Sequence, residues 1–210
     1  QHRKLQEDFG TTALADAVNS IIVVSEIASE HQGFIESRDM FFLTTIDHRG
    51  FPTCSYKGGN VGLVTVVDNK TLAFPSYDGN GMFLSMGNMT LNNKVGLLFI
   101  DFETPHRVRV HGTASVHRDD PLLSAYHEAQ LIVRVTIEEI FVNCPRYIHR
   151  HTRQQSSQYV PQTHCETPLA QWKRIAPLQP MLDEAVQAKA LAEGLITPEQ
   201  YGELVMQGKG

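Results

Sequence analysis

Two different spacings of apolar residues divide the chain. Between Thr12 and Ser37, the residues Ala13, Leu14, Ala17, Ile21, Val24, Ala28 and Ile35 recur at roughly helical intervals. Asp16 and Glu26 fall off that stripe, so the spacing predicts a helix. From Met40 the period shortens. "MFFLTTI", "FPTCSY", "VGLVTVV", "TLAFP", "VGLLFIDF", "RVRVHGTASV" and "LIVRVTIEEIFV" are short, apolar and rich in β-branched residues, and most are parted by turns of Asp, Asn, Gly and Pro. About six strands so arranged predict an antiparallel barrel or sandwich rather than βαβ units. "RVRVHGTASV" alternates most cleanly, with Val108, Val110 and Gly112 on one face and Arg107, Arg109 and His111 on the other. Its cationic face borders solvent or looks into a site.

"RDDPLLSAYHEA" predicts a short helix with Asp119 or Asp120 as N-cap and Pro121 in the first turn. After Cys144 the chain becomes polar and basic, and "PRYIHRHTRQQSSQYVPQTHCETP" is expected to be a short helical turn followed by a long loop. Two helices close the chain, the second capped at Thr197 with Pro198 at its first position and Glu199 just after. There is no internal repeat. The expected organisation is a helical segment over residues 1–38 packed on a barrel over 39–150, with 151–210 adding a loop and helices to the same domain.

A length of 210 residues, 41% hydrophobic and 20% charged, suits an ordinary globular domain. The net charge of −5 argues against a nucleic-acid partner. No apolar run approaches the roughly 20 residues that span a bilayer, and "SIIVVSEI" is interrupted by Ser25 and Glu26. "QHRKLQEDFG" has no apolar core behind its charges and does not read as a signal peptide. Cys54, Cys144 and Cys165 form no CxxC pair and leave an odd count, which points to reduced thiols and a cytoplasmic address. Cys144, at a strand end, is expected to be a small buried hydrophobe. His149, His151, His164 and Cys165 match no closed tetrahedral zinc spacing, so no metal site is expected.

Candidate chemistry gathers in three stretches. "SYDGNGMFLSMGNMTLNNK", Ser76 to Lys94, has no charge between Asp78 and Lys94. Met82, Phe83, Met86 and Met89 can form one apolar helix face, which puts Gly79, Asn80 and Gly81 at the helix N-terminus. Free N–H groups there favour an anion such as a phosphate. A plain glycine turn before a core-facing helix explains the same residues. In "FPTCSYKGGNVG", Ser55 and Lys57 share a strand face, and the lysine suits a phosphate or simply faces water. In "NCPRYIHRHTR", Arg146 and Arg150 lie four apart, which reads equally as an anion clamp or a solvated basic turn.

In this order, "FFLTTIDHRGFPTCSYKGG…TLAFPSYDGN…SMGNMTLNNKVGLLFIDF…RVRVHGTASV" resembles the FMN-binding split-barrel proteins related to pyridoxamine 5′-phosphate oxidase. The likeness is best over Met40 to Val116, and "FVNCPRYIHR" is similar to an uncharacterised branch of that superfamily. It implies a mainly β, six-stranded antiparallel split barrel flanked by N- and C-terminal helices, forming a homodimer with FMN near the subunit interface. It further implies that Ser55, Lys57 and Gly58 line the flavin, and that Gly79, Asn80, Ser85 and Asn88 hold its ribityl and phosphate end. Arg109 matches the arginine of the family's "RVxG" strand, and Arg146, Tyr147 and Arg150 fall on the substrate side. Two positions depart from the family. Gly81-Met82 stands where members commonly carry a cation, which implies either that Lys57, Arg107 or Arg109 supplies that charge or that the flavin is weakly held. The C-terminal Arg-x-His that holds pyridoxamine phosphate has no match here. The implied function is therefore an FMN-dependent oxidoreductase acting on another small molecule, with no catalytic side chain assigned. A non-enzymatic carrier or sensor of flavin or heme, and a scaffold without cofactor, are the alternatives.

Overall fold

A seven-stranded antiparallel sheet carries the fold of this computed structural model, which describes residues 2–210. Its strands are β1 (Met40–Ile46), β2 (Pro52–Gly58), β3 (Thr65–Asp68), β4 (Thr71–Ser76), β5 (Lys94–Asp101), β6 (His106–His117) and β7 (Leu131–Asn143), in the spatial order β2-β1-β5-β6-β7-β4-β3. The architecture is the split-barrel type with flanking helices. It has one strand more than the expected six, because the short Thr65–Asp68 segment pairs with β4 as a strand of its own.

Local chemistry explains the pairings. The β1–β2 hairpin turns where Asp47 Oδ1 accepts from the N–H groups of Arg49 and Phe51, both at 2.9 Å, and Gly50 takes the left-handed φ of 87° that the turn requires. Alternation then decides the faces. Phe41, Leu43, Leu97, Phe99, Val108 and Val110 point into one buried core. There Phe41 meets Phe74 edge-on at 5.0 Å and stacks with Phe99 at 5.4 Å. The long strand β7 pairs with β6 through Arg107↔Asn143 to His117↔Ile132, and with β4 through Thr71↔Thr136 to Ser76↔Leu131. The register of β6 and β7 slips between His111 and Gly112. At that bulge Gly112 faces inward, and a Cβ would lie 2.5 Å from the Thr136 carbonyl oxygen. Only glycine fits there.

The N-terminal helical segment differs from the sequence expectation. The structure has α1 (His2–Asp8), α2 (Thr12–Ile22) and α3 (Ser29–Glu36), with the chain extended around Val24. Val24 exchanges two backbone hydrogen bonds with Ile140, at 3.0 and 2.8 Å, and β-branched Val23 and Val24 favour that extended path over helix. The stripe on α2 is not buried: Leu14 is 66% and Ile21 74% exposed.

Between β6 and β7, Pro121–Ala125 forms a short 3₁₀ helix capped by Asp120, whose Oδ1 accepts from Leu122 N–H at 2.9 Å. Arg134 donates to both Asp120 oxygens at 2.6 and 3.0 Å and holds that carboxyl below the usual carboxylate range.

The chain divides after Gln155 into two compact units. The second, Ser156–Gly210, contains two 3₁₀ turns, Gln171–Arg174 and Ala176–Met181, and the helices α5 (Glu184–Glu193) and α6 (Pro198–Met206). Arg174 donates to the carbonyl oxygens of Glu193 and Gly194, closing the end of α5. Thr197 and Gln200 form a reciprocal capping box at the start of α6.

Candidate functional site

The sequence between β4 and β5 folds as a loop, Tyr77–Phe83, leading into α4 (Leu84–Leu91). The helix starts later than its methionine spacing predicts. Gly79 to Met82 stay outside it, with Asn80 Oδ1 accepting from Met82 N–H at 3.1 Å and Gly81 at φ 76°. Phe83 takes the N-cap position in the left-handed region, φ 48°, a conformation that a bulky residue adopts at a cost. It supplies no side-chain acceptor, so the first N–H groups of α4 have no side-chain cap.

Polar side chains hold α4 to the hairpin beneath it. Asn88 Nδ2 donates to Thr45 Oγ1 at 3.0 Å and to Thr53 Oγ1 at 3.2 Å, and the two threonine hydroxyls lie 2.8 Å apart. Ser55 and Ser85 hydroxyls also meet at 2.8 Å. Thr45 and Ser85 are buried, so these bonds satisfy groups that water cannot reach. Met86 and Met89 bury their side chains in the core on the same side of the helix.

Between the loop, the start of α4 and β2 lies a cleft of about 210 Å³, lined by Ser55, Lys57, Tyr77, Asn80, Ser85 and the Gly79–Gly81 backbone among others. Lys57 is its cation. The side chain is half-buried, and burial pulls its pKa below the ordinary lysine value. Among the described residues it has no hydrogen-bond or ion-pair partner. Across the cleft, burial, with a smaller contribution from Tyr126, pushes the Tyr77 phenol up to about 12, so it stays a neutral donor. One unpaired cation, an amide- and glycine-rich loop and an uncapped helix start therefore converge on one small space. That arrangement is chemically suited to an anionic group.

Five of the site residues expected from sequence, Ser55, Lys57, Gly79, Asn80 and Ser85, share this cleft. The others are elsewhere. Gly58 follows Lys57 on β2 but packs beneath the Tyr56 ring, which would meet a Cβ at 2.7 Å. Asn88 spends its amide on the two threonines. Arg109 is exposed on the outward face of β6, paired in register with Leu98 and Phe141. Arg146, Tyr147 and Arg150 do not reach the cleft: Tyr147 is 88% exposed with φ 71°, and Arg150 donates to the Glu103 carbonyl at 2.9 Å. The turn at Pro145–Ile148 is therefore not the helical turn that would align the two arginines. Cys144 is exposed rather than buried, because it lies past the end of β7. Tyr77, Phe83, Leu84 and Met86 line the cleft without having been singled out as site residues. For Tyr77 the signal was available, since an aromatic placed between a strand and a glycine bend has few ways to be buried except over that bend. Among the described residues, no group of three or more His, Cys, Asp or Glu side chains gathers as a metal site.

This split-barrel architecture, a seven-stranded antiparallel sheet with flanking helices, defines the class. Residues 27–156 match the family model described as pyridoxamine 5′-phosphate oxidase, and the chain belongs to that family. No curated protein matches. Among solved structures, the chain is similar to HupZ from Group A Streptococcus, at 19% identity over 60% of this chain and 99% of that one, TM-score 0.47. It is also similar to a putative pyridoxamine 5′-phosphate oxidase from Lactobacillus delbrueckii, at 27% identity over 56% and 95%, TM-score 0.46. An FMN-binding protein from Syntrophomonas wolfei matches at 9% identity over 67% and 97%, TM-score 0.44.

Proposed function

We propose that the chain binds FMN with its phosphate end in the Lys57 cleft, and that it is an oxidoreductase acting on a small molecule other than pyridoxamine phosphate. The observation that carries this reading is Lys57 itself. A half-buried cation without a counter-ion is costly to keep, and a phosphate offsets that cost. The rest of the cleft fits the same group. Gly79 and Gly81 let the backbone come close, Ser85 and the uncapped N–H groups of α4 donate, and Asn80 holds the loop shape through its bond to Met82. When bound, FMN supplies the electron or hydride transfer. The protein binds, orients and excludes water, and Tyr77 remains a neutral hydrogen-bond donor at neutral pH.

A cleft of about 210 Å³ falls below the roughly 300–1,000 Å³ of sites that enclose a whole small molecule. Met82, Phe83 and Leu84 beside it are half or more exposed. Both facts support a second copy of the chain completing the site, as a homodimer with the cofactor near the interface. One observation favours a second reading. Lys57 is the single cation lining the cleft, and Gly81-Met82 adds none, which suits a flavin held loosely by a carrier or sensor. Heme fits less well, because no histidine lines the cleft to serve as an axial ligand.

The test is the visible spectrum of the purified protein, followed by anaerobic addition of NADH or NADPH. The two-band spectrum of oxidised flavin, bleached within seconds, is the expected result. Flavin that resists bleaching selects the carrier. A colourless protein that takes up no added FMN overturns both readings.

A further inference from the structure

On the other flank of α4 lies a second cleft, larger than the first at about 500 Å³ and within the range of small-molecule sites. Met86, Val116 and Leu131 give it an apolar floor, and Arg118 and Gln130 stand at its polar edge. Two exposed residues, Arg118 and Gly87, give it its chemistry and its shape.

The first is Arg118. Its guanidinium makes no ion pair or hydrogen bond with any described residue. Asp119, next to it, is not among the lining residues, and Asp120 is engaged by Arg134. An arginine over an apolar floor presents a fork that matches a carboxylate.

The second is Gly87, which sits inside α4 and lines the same cleft. Glycine inside a helix is unfavourable relative to alanine, and is usually retained where a neighbour leaves no room for a Cβ. Here nothing lies within 4 Å of the position a Cβ would take, and φ is not left-handed. No described residue requires a glycine there, as is also true of the exposed helix glycines Gly33 and Gly202. Gly87 is exposed, and without a side chain it leaves that edge of the cleft open.

We propose that this second cleft binds a small carboxylate with a compact apolar body, the body resting on Met86, Val116 and Leu131 over Gly87 and the carboxylate on Arg118. Arg118 sets the charge of the ligand and Gly87 its thickness. The site lies apart from the Lys57 cleft, although Phe83 and Met86 wall both, and the proposal stands whether or not that cleft holds flavin.

The experiment titrates the full chain, labelled at the methionine methyls, with phenylacetate, and with phenylacetamide as the uncharged probe. The Met86 signal is assigned from Met86→Leu. The expected result is a saturable Met86 shift with one site per chain, at least tenfold weaker for phenylacetamide and in Arg118→Gln. Gly87→Leu fills the cleft, and is expected to abolish the shift without lowering the thermal midpoint. The proposal is overturned by no saturating shift at millimolar phenylacetate, by equal binding of acid and amide, or by unchanged binding in Gly87→Leu. It is also overturned if sedimentation shows that Gly87→Leu dissociates a dimer, since a second copy would then be the occupant.

Discussion

Removing the charge of Lys57 separates ligand binding from folding, because the two respond with opposite sign. Burial lowers the folded pKa of this lysine, so the empty protein is penalised at every pH where the side chain must stay charged. That penalty is fully present below the folded pKa and is relieved as pH rises through it towards the unfolded value near 10.5. Lys57→Met is therefore expected to raise the thermal midpoint of ligand-free protein at pH 7. It should also weaken FMN by about 1.5–3 kcal/mol, the contribution of a charge-assisted hydrogen bond. Titrations from neutral pH towards 10.5 should show affinity falling in the parent and flat in the variant, and a parent profile as flat as the variant's would remove Lys57 from the site. Asp120 obeys the opposite sign. Its pKa is depressed, chiefly by Arg134, so its contribution is present above the ordinary carboxylate value of 3.8 and lost as pH falls through the folded one. Asp120→Asn should cost about 1.5–3 kcal/mol in urea unfolding at pH 7, with the gap to the parent closing in acid. At this scale the motif order shared with the family pointed to Lys57 and Asn80, whereas residue type and spacing alone also read as a solvated lysine and a plain glycine turn. It did not reveal that Asn88 is occupied, because its partners Thr45 and Thr53 lie 43 and 35 residues away.

Among the elements, α4 forms the shared wall of both clefts, and its position depends on polar bonds to β1 and β2. Truncating Asn88 leaves the buried Thr45 hydroxyl without its amide donor and loosens the helix from the hairpin. Asn88→Ala should therefore cost about 1–3 kcal/mol and weaken FMN indirectly, whereas Asn80→Ala with Ser85→Ala should strip FMN at a smaller cost in stability. Equal FMN affinity in the parent and the Asn80→Ala, Ser85→Ala protein would move the phosphate end elsewhere. The β6–β7 bulge is a second dependency. Gly112→Ala forces a methyl against the Thr136 carbonyl, and should destabilise by about 1–3 kcal/mol without any ligand present. The strands were legible because alternation reports which face is buried, as Val108 and Val110 show. The break between α2 and α3 was not, because local spacing carries no trace of the Val24–Ile140 bridge that interrupts the helix. Likewise the late start of α4 follows from the left-handed Phe83, which residue type disfavours rather than predicts.

For the molecule as a whole, the decisive question is whether one chain can hold the cofactor. The Lys57 cleft accommodates an anionic tail more readily than an entire flavin, and the apolar residues around its mouth stand open, Met82 at 61% and Leu84 at 57% exposed. Clustered exposed apolar side chains of this kind are typical of the core of a protein–protein contact. If a second copy supplies that cover, binding of FMN and association of chains are linked by mass action, and each must strengthen the other. Sedimentation followed at the flavin absorbance tests this over a dilution series: the cofactor should travel with the dimer and be released as monomer appears. Met82→Glu places a charge in the loop without touching the cleft lining, so it should promote dissociation and lower FMN occupancy together. Flavin travelling with a monomer in either experiment would mean that a single chain is sufficient, and that the exposed apolar rim serves some other contact.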